Sequence, residues 1–317
     1  MCLRPSRDDD VDAMLDVVQR AHRALTGRAH DMTRERIVSL RSLPGRDPGE
    51  TFPVIERDGL VVAWAGLFAI PPYSEVFVMQ HLDPDLGEPE LRTAVELLVD
   101  AGQREALERT AGLSDDRTRV LASESLREDV RLGAALGGLG FAVERNSYEM
   151  GIDLRGRDVT PGPWPPGFDV RRLRGPQDAD TVSAVLLEAF VDHQGDVPFA
   201  PDYMRHVLAA DDARPDLSRL AHDAEGPVGV IVCRDRPRDG YVWAIGVLRR
   251  ARRRGLAQAL LTHAFADFAS DGRTSVALEV EAQSLTGATR VYERVGMTVR
   301  AVHDTWTRPL RQPGPAE

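Results

Sequence analysis

Apolar residues along the chain change their period repeatedly, and each change marks an element. A short strand around Cys2 to Arg4 gives way to the acidic run Asp8 to Asp10, which suits a helix start, and Val11, Met14, Leu15 and Val18 then recur at helical spacing. From Phe52 to Ala69 the pattern is that of two strands joined at Asp58-Gly59, a strong hairpin signal. A strand over Glu75 to Leu82 leads through Asp83-Pro84-Asp85-Leu86-Gly87 into a helix from about Pro89 to Arg109. A strand at Arg119 to Ala122 follows, then a short helix over Val130 to Leu139 stopped by Gly140, and Phe141 to Asp153 reads as a closing hairpin.

Arg155 to Gly167 contains Pro161-Gly162-Pro163-Trp164-Pro165-Pro166-Gly167, too rich in breakers for a regular element, and reads as a linker between domains at 1–154 and 168–317. After it the order begins again. A strand near Phe168 to Leu173 precedes a helix over Ala179 to Phe190, and a polar segment runs to Pro215. A hairpin pairs Leu217 to His222 with Val228 to Arg234 and turns at Glu225-Gly226-Pro227. The strand Tyr241 to Val247 leads into a helix with Leu256, Leu260, Leu261, Ala264, Phe265 and Phe268 on one face; the strand Ser275 to Glu281, a helix from about Gly287 to Arg294 and closing strands to Pro309 complete the copy. The chain is thus a tandem α/β protein with a repeat of roughly 150 residues, each copy a twisted, mostly antiparallel sheet flanked by helices.

Charge singles out one turn. Between the Tyr241 strand and its helix stand Arg249, Arg250, Arg252, Arg253, Arg254 and then Gly255. Cations oppose the dipole at a helix start, so a cluster there signals an anionic guest, and phosphate is the natural one. Aligned without gaps, the first copy has Leu82 to Glu90 in this place, with Asp83, Asp85, Glu88 and Glu90 where the second has arginines and glycine. Carboxylates repel phosphate, so only the second copy is expected to bind it.

Composition narrows the class. The net charge is -10, and all 40 Lys+Arg residues are arginine. The acidic excess lies mainly in the first half, and a general nucleic-acid binder is not expected. No apolar run is long enough to span a membrane and the N-terminus lacks a signal-like core, so a cytoplasmic protein, monomeric or homodimeric, is expected. Cys2 and Cys233 make neither a disulfide framework nor a metal cluster, and Cys233 reads as a core thiol.

Arg252-Arg253-Arg254-Gly255-Leu256-Ala257 after a strand resembles the Arg/Gln-x-x-Gly-x-Gly/Ala loop of the GCN5-related N-acetyltransferases, and Ala288 to Met297 is similar to that family's Ala-x-x-Leu-Tyr-x-x-x-Gly-Phe segment. The duplicated layout is similar to that of mycothiol synthase and other tandem members. The resemblance implies acetyl-CoA as co-substrate, its pyrophosphate on the loop, catalysis in the C-terminal copy, and a small-molecule amine as partner. There are departures. The position of a frequent asparagine is Leu285, between Ser284 and Thr286; the carboxylate of mycothiol synthase before the loop corresponds to Tyr241; and the first copy has Leu136 in the tyrosine position.

The expected site follows. Ile245 and Val247 with Arg252, Arg253, Arg254, Gly255, Leu256 and Ala257 are expected cofactor contacts, and backbone N–H groups of the Tyr241 to Val247 strand are expected to hold the oxyanion. Tyr292 protonates the leaving thiolate. Glu279 and Glu281 project from one side of their strand, and Glu281 is the preferred base for the amine. Asp192 and His193, with Asp196 nearby, are candidates for acceptor binding, the alternative being a helix cap and ordered loop. His263 and His303 are expected to be structural. Competing readings are a non-catalytic acyl-CoA sensor, a peptide N-terminus as acceptor, or another acyl-CoA.

Overall fold

The computed structural model describes residues 1–43, 47–113, 117–193, 196–283 and 287–310. Among them the strands are β1 (Cys2–Arg4), β2 (Val54–Arg57), β3 (Leu60–Ala69), β4 (Glu75–Leu82), β5 (Val120–Leu126), β6 (Ala142–Asp153), β7 (Asp169–Arg172), β8 (Arg219–Asp223), β9 (Gly226–Asp235), β10 (Gly240–Val247), β11 (Ser275–Glu281) and β12 (Thr298–Pro309). The helices are α1 (Val11–Thr26), α2 (Arg34–Arg41), α3 (Pro48–Thr51), α4 (Glu88–Thr110), α5 (Val130–Gly138), α6 (Ala179–Ala189), α7 (Pro201–Ala209), α8 (Leu256–Ser270) and α9 (Ala288–Arg294).

Two compact units contain these elements: Met1–Asn146 with the stretch that begins at His303, and Ser147–Val302. The first has strand order β1-β2-β3-β4-β5-β12 and the second β7-β8-β9-β10-β11-β6. Neighbours are antiparallel except β4 with β5 and β10 with β11, which run parallel and are joined by the crossover helices α4 and α8. Ser147 to Asp153 pair with β11, and His303 to Pro309 pair with β5. The compact units therefore do not coincide with 1–154 and 168–317, because the two closing strands are exchanged.

Apolar clusters lie on both faces of each sheet. In the second unit one cluster joins the sheet to α8 and α9 through Leu260, Leu261, Phe265 and Tyr292, and another joins it to α6 and α7 through Val182, Leu186, Met204 and Leu208. Cys233 is fully buried, and burial pushes its thiol well above the ordinary range, as befits a core residue.

The entry to the first helix is built the same way twice. Asp10 accepts two bonds from the Arg4 guanidinium at 2.7 and 2.8 Å and one from the Arg7 N–H at 2.7 Å. Asp178 accepts two from Arg171 at 2.7 and 2.8 Å and one from the Arg174 N–H at 2.8 Å. The Arg171 hydrogen bonds, with those of Arg174, outweigh desolvation and hold the Asp178 carboxyl well below the usual carboxylate range. A depressed carboxyl stabilises the fold above its unfolded pKa of about 4 and loses that contribution as pH falls through its folded value. Asp178→Asn is expected to cost about 2 kcal/mol at neutral pH, and less as the pH is lowered below 4, read from urea midpoints across pH.

Several local expectations are corrected. Phe141 to Asp153 is not a hairpin: β6 is a single strand, because unbroken pairing of Ser147 to Asp153 with β11 overrides any local turn tendency at Asn146-Ser147. The closing strands are likewise one strand, β12. The polar segment before Pro215 contains α7, whose Pro201 sits in the first turn and whose Met204, Val207 and Leu208 are buried. The β8–β9 turn falls earlier than Glu225-Gly226-Pro227, since the Asp223 carboxylate accepts the Glu225 N–H at 2.9 Å and Gly226 already opens β9.

The candidate acyl-transfer site

β10 and β11 pair only from Gly240 to Val242, against Val276 to Leu278. Beyond that point they part, and β10 continues along β9 alone from Ala244 to Val247, after a bulge between Val242 and Ala244. In an antiparallel ladder alternate residues bond to one neighbour, so alternate amides of Trp243 to Val247 face the gap. A cavity of about 990 Å³ occupies it, lined by Val242 to Val247 on one side and by Leu278 to Glu281 on the other.

At one end of the cavity lies the arginine-rich loop. Gly255 caps α8 with φ 81° and ψ -3°, and Arg253 has φ 61°, so the loop takes the left-handed conformation twice. Such turns make concave runs of N–H groups that receive anions. The first intrahelical bond of α8 is from the Ala259 N–H to the Gly255 carbonyl at 3.0 Å, which leaves the amides of Leu256, Ala257 and Gln258 without an intrahelical acceptor. Arg249, Arg253, Arg290 and Arg294 line the same cavity.

The arginines divide their work. Arg252 donates Nε to the Val247 carbonyl and Nη2 to the Ala189 carbonyl, both at 3.0 Å, and so braces the loop against β10 and α6. Arg254 does not line the cavity: its guanidinium bonds the Pro166 carbonyl at 3.2 Å and lies 4.1 Å from the Phe168 ring centroid. Its side chain is therefore turned away from the cofactor contact expected of it. Ile245, Val247, Gly255, Leu256 and Ala257 all line the cavity, and the Leu256 side chain is buried in the core.

Tyr292, from α9, is 8 % exposed and lines the cavity. No described residue hydrogen-bonds its hydroxyl, and burial raises the phenol above its ordinary value, so it stays protonated at neutral pH. Its placement depends on Gly296, which at φ 90° lets the Met297 N–H reach back to the Tyr292 carbonyl at 3.1 Å. Leu136 and Gly140 repeat this turn in the first unit, with Phe141 bonded to Leu136 at 3.1 Å.

Two groups expected separately are brought together. His193 Nδ1 lies 3.5 Å from a Glu281 oxygen, and both line the cavity. Glu279 is instead engaged by Arg236 at 3.2 Å and by Tyr241. Asp192 is ion-paired to Arg249 and lies 3.8 Å from Arg252, with the Arg249 hydrogen bond holding its carboxyl below the usual range, so it serves as a loop clamp as well as lining the cavity. Tyr241 lies outside the lining, with the Arg236 guanidinium 3.3 Å from its ring centroid. His263 is stacked on Trp164 at 3.7 Å, and His303 lies 3.3 Å from Glu124. Leu285, Ser284 and Thr286 lie outside the described residues.

The first unit fills the equivalent loop with its own ion pairs. Asp83 and Asp85 take Arg20 at 2.7 and 2.5 Å, Glu88 takes Arg131 at 2.8 Å, and Glu90 takes Arg57 at 2.8 Å. The loop between β4 and α4 is three residues shorter than that between β10 and α8, so Gly87, not Glu90, stands opposite Gly255 as the helix cap. Across the diverging strands Gln80 donates to Ser123 at 3.2 Å, and Ser123 to the Val78 carbonyl at 2.8 Å.

Residues 184–297 match the model of the acetyltransferase (GNAT) family. That stretch, which is similar to a GNAT acetyltransferase domain, lies within the second unit. None of the curated proteins matches the chain by sequence. Among solved structures, a GCN5-related N-acetyltransferase from Sphaerobacter thermophilus is 24% identical with a TM-score of 0.76, covering 99% of this chain and 96% of its own. A tandem GNAT protein from the clavulanic acid biosynthesis pathway is 18% identical with a TM-score of 0.71, covering 100% and 99%. These likenesses establish the tandem GNAT fold over the full length. The family match brackets the loop and Tyr292, and no described helix is long and apolar enough to cross a membrane.

Sequence reasoning missed the aromatic lining of this site. Phe190, Phe199 and Trp243 all face the cavity. Phe190 reads as the end of a helix and Phe199 falls in the segment that reads as polar, and the bulge that presents Trp243 leaves no mark in local sequence.

Proposed function

We propose that the second unit transfers an acetyl group from acetyl-CoA to the primary amine of a small molecule, directly and without a covalent acyl-enzyme. The observation that carries this reading is the gap between β10 and β11, with the Tyr292 hydroxyl, which no described residue bonds, and the His193–Glu281 pair on its walls. When bound, acetyl-CoA supplies the activated acyl group. The amides at the start of α8 hold its pyrophosphate, with Arg253, Arg290 and Arg294 raising the local potential. The gap-facing amides of β10 take the pantetheine arm and the acyl oxygen, on which negative charge develops.

Glu281 takes the proton of the incoming ammonium, and His193 against it relays that proton toward solvent. As the carbon–nitrogen bond forms and the carbon–sulfur bond breaks, Tyr292 gives its proton to the departing sulfur, and the second proton leaving the nitrogen restores the phenol. Tyr241 stands where mycothiol synthase has a carboxylate, and it is outside the cavity lining, so the acceptor is taken to differ from that enzyme's. The first unit is a degenerate copy in this reading, since its loop carboxylates are already paired and Leu136 replaces the tyrosine.

Thiol release by the full chain, assayed over a panel of amines, tests the reading. Glu281→Gln is expected to lower kcat roughly a hundredfold, read from thiol release at saturating acetyl-CoA. Acetyl-CoA binding without turnover of any amine would replace the enzyme by an acyl-CoA sensor.

A further inference from the structure

Four rings form a continuous wall inside the cavity. His193 to Phe190 measures 5.7 Å between centroids, Phe190 to Phe199 5.0 Å and Phe199 to Trp243 5.8 Å, the last two edge to face. All four line the cavity, and they arrive from three places in the chain: the end of α6, the segment before α7, and β10. The wall is firmly backed. Phe199 is held through its carbonyl by the Ser183 hydroxyl, and Gly246 lets the end of α6 approach β10, where a Cβ would stand 3.0 Å from Ala189 and 3.8 Å from Phe190.

The position of the wall separates it from the acyl donor's contacts. Phe190, Phe199 and Trp243 pack with the cluster beneath α6 and α7, whereas Tyr292 packs with the one beneath α8 and α9. The gap between β10 and β11 joins the two faces, and Glu281 stands at it beside His193. Trp243 occupies the bulge of β10, and no described residue hydrogen-bonds its indole N–H. A buried polar group without a partner is costly, so a wall of rings disfavours an acceptor rich in hydroxyls. It favours a flat apolar body, and ring faces also attract the ammonium in which an amine arrives.

We propose that the acceptor is an arylalkylamine-type substrate, its ring seated against Phe190, Phe199 and Trp243 and its amine directed to Glu281. The proposal rests on the acetyl-transfer reading above. At saturating acetyl-CoA, the full chain should acetylate phenethylamine and tryptamine with kcat/KM at least about tenfold above glucosamine and spermidine. Trp243→Ala should lower kcat/KM for the aryl amines about tenfold more than for glucosamine and spermidine, mainly through KM. Preference for glucosamine or spermidine, or an equal loss on all four amines in Trp243→Ala, overturns the acceptor class and leaves the transfer reading standing. Calorimetry with phenethylamine separates the remaining case. Binding that Trp243→Ala abolishes, without turnover, supports the aromatic site and removes the transfer chemistry; absence of binding overturns the site.

Discussion

Tyr292→Phe is expected to lower kcat for thiol release by roughly 10²- to 10⁴-fold while the KM for acetyl-CoA stays nearly unchanged. The substitution removes one oxygen that no described residue bonds, and it leaves the ring in the apolar cluster with Leu256, Leu260 and Met297. Stability is therefore expected to hold. Because burial keeps the phenol protonated at neutral pH, its loss should appear as a lower plateau of the rate profile rather than a shift of its acidic limb. Steady-state kinetics across pH read both quantities. A variant with full kcat would leave the hydroxyl no part in the reaction.

The second large effect is on binding. Gly255→Val should weaken acetyl-CoA affinity by roughly a hundredfold or more, which corresponds to about 2.7 kcal/mol. Space is not the obstacle, since a Cβ at Gly255 would meet only Pro165 at 3.7 Å. The left-handed backbone is, because a β-branched residue at φ 81° is strained by roughly 1–2 kcal/mol, and relief of that strain moves the amides at the start of α8. Gly272→Val supplies a control: its φ is 82°, also with open space around it, but it follows the far end of α8. Calorimetry on the full chain should find reduced stability in both variants and reduced affinity in Gly255→Val alone. Equal affinities would detach the loop from the ligand.

Much of this was readable because it depends on local rules. The hairpin at Asp58-Gly59 has both turn residues at positive φ, and the β10–loop–α8 passage shows a change of period around a glycine that the backbone requires. Tyr292 was found through the resemblance of Ala288 to Met297 to a family segment, whose glycine, Gly296, makes the C-terminal turn that the structure contains. Long-range features left no comparable trace. The meeting of His193 with Glu281 depends on how α6 ends beside the diverging strands, and the removal of Arg254 from the cavity depends on Phe168 and Pro166 standing beside it. An ungapped alignment of the two copies misplaced Gly255's counterpart because the shorter loop after β4 closes on its own ion pairs. α7 was hidden because Asp202, Arg205 and His206 dilute its apolar face, although Pro201 marked its start.

The exchanged closing strands set an order on synthesis. β5 is complete at Leu126, yet the segment that covers its edge starts at His303, so the first sheet stays unsealed while the second copy is being translated. At roughly 5–20 residues per second that interval is on the order of ten seconds or more, during which an open strand edge is a template for other nascent chains. β11 meets the opposite circumstance. Its partner, β6, has left the ribosome before β11 is made, so the strand bearing Glu281 can be covered as soon as it emerges. A product cut short before His303 would thus carry the elements of the site but an uncapped first sheet, and would be prone to aggregate through that edge.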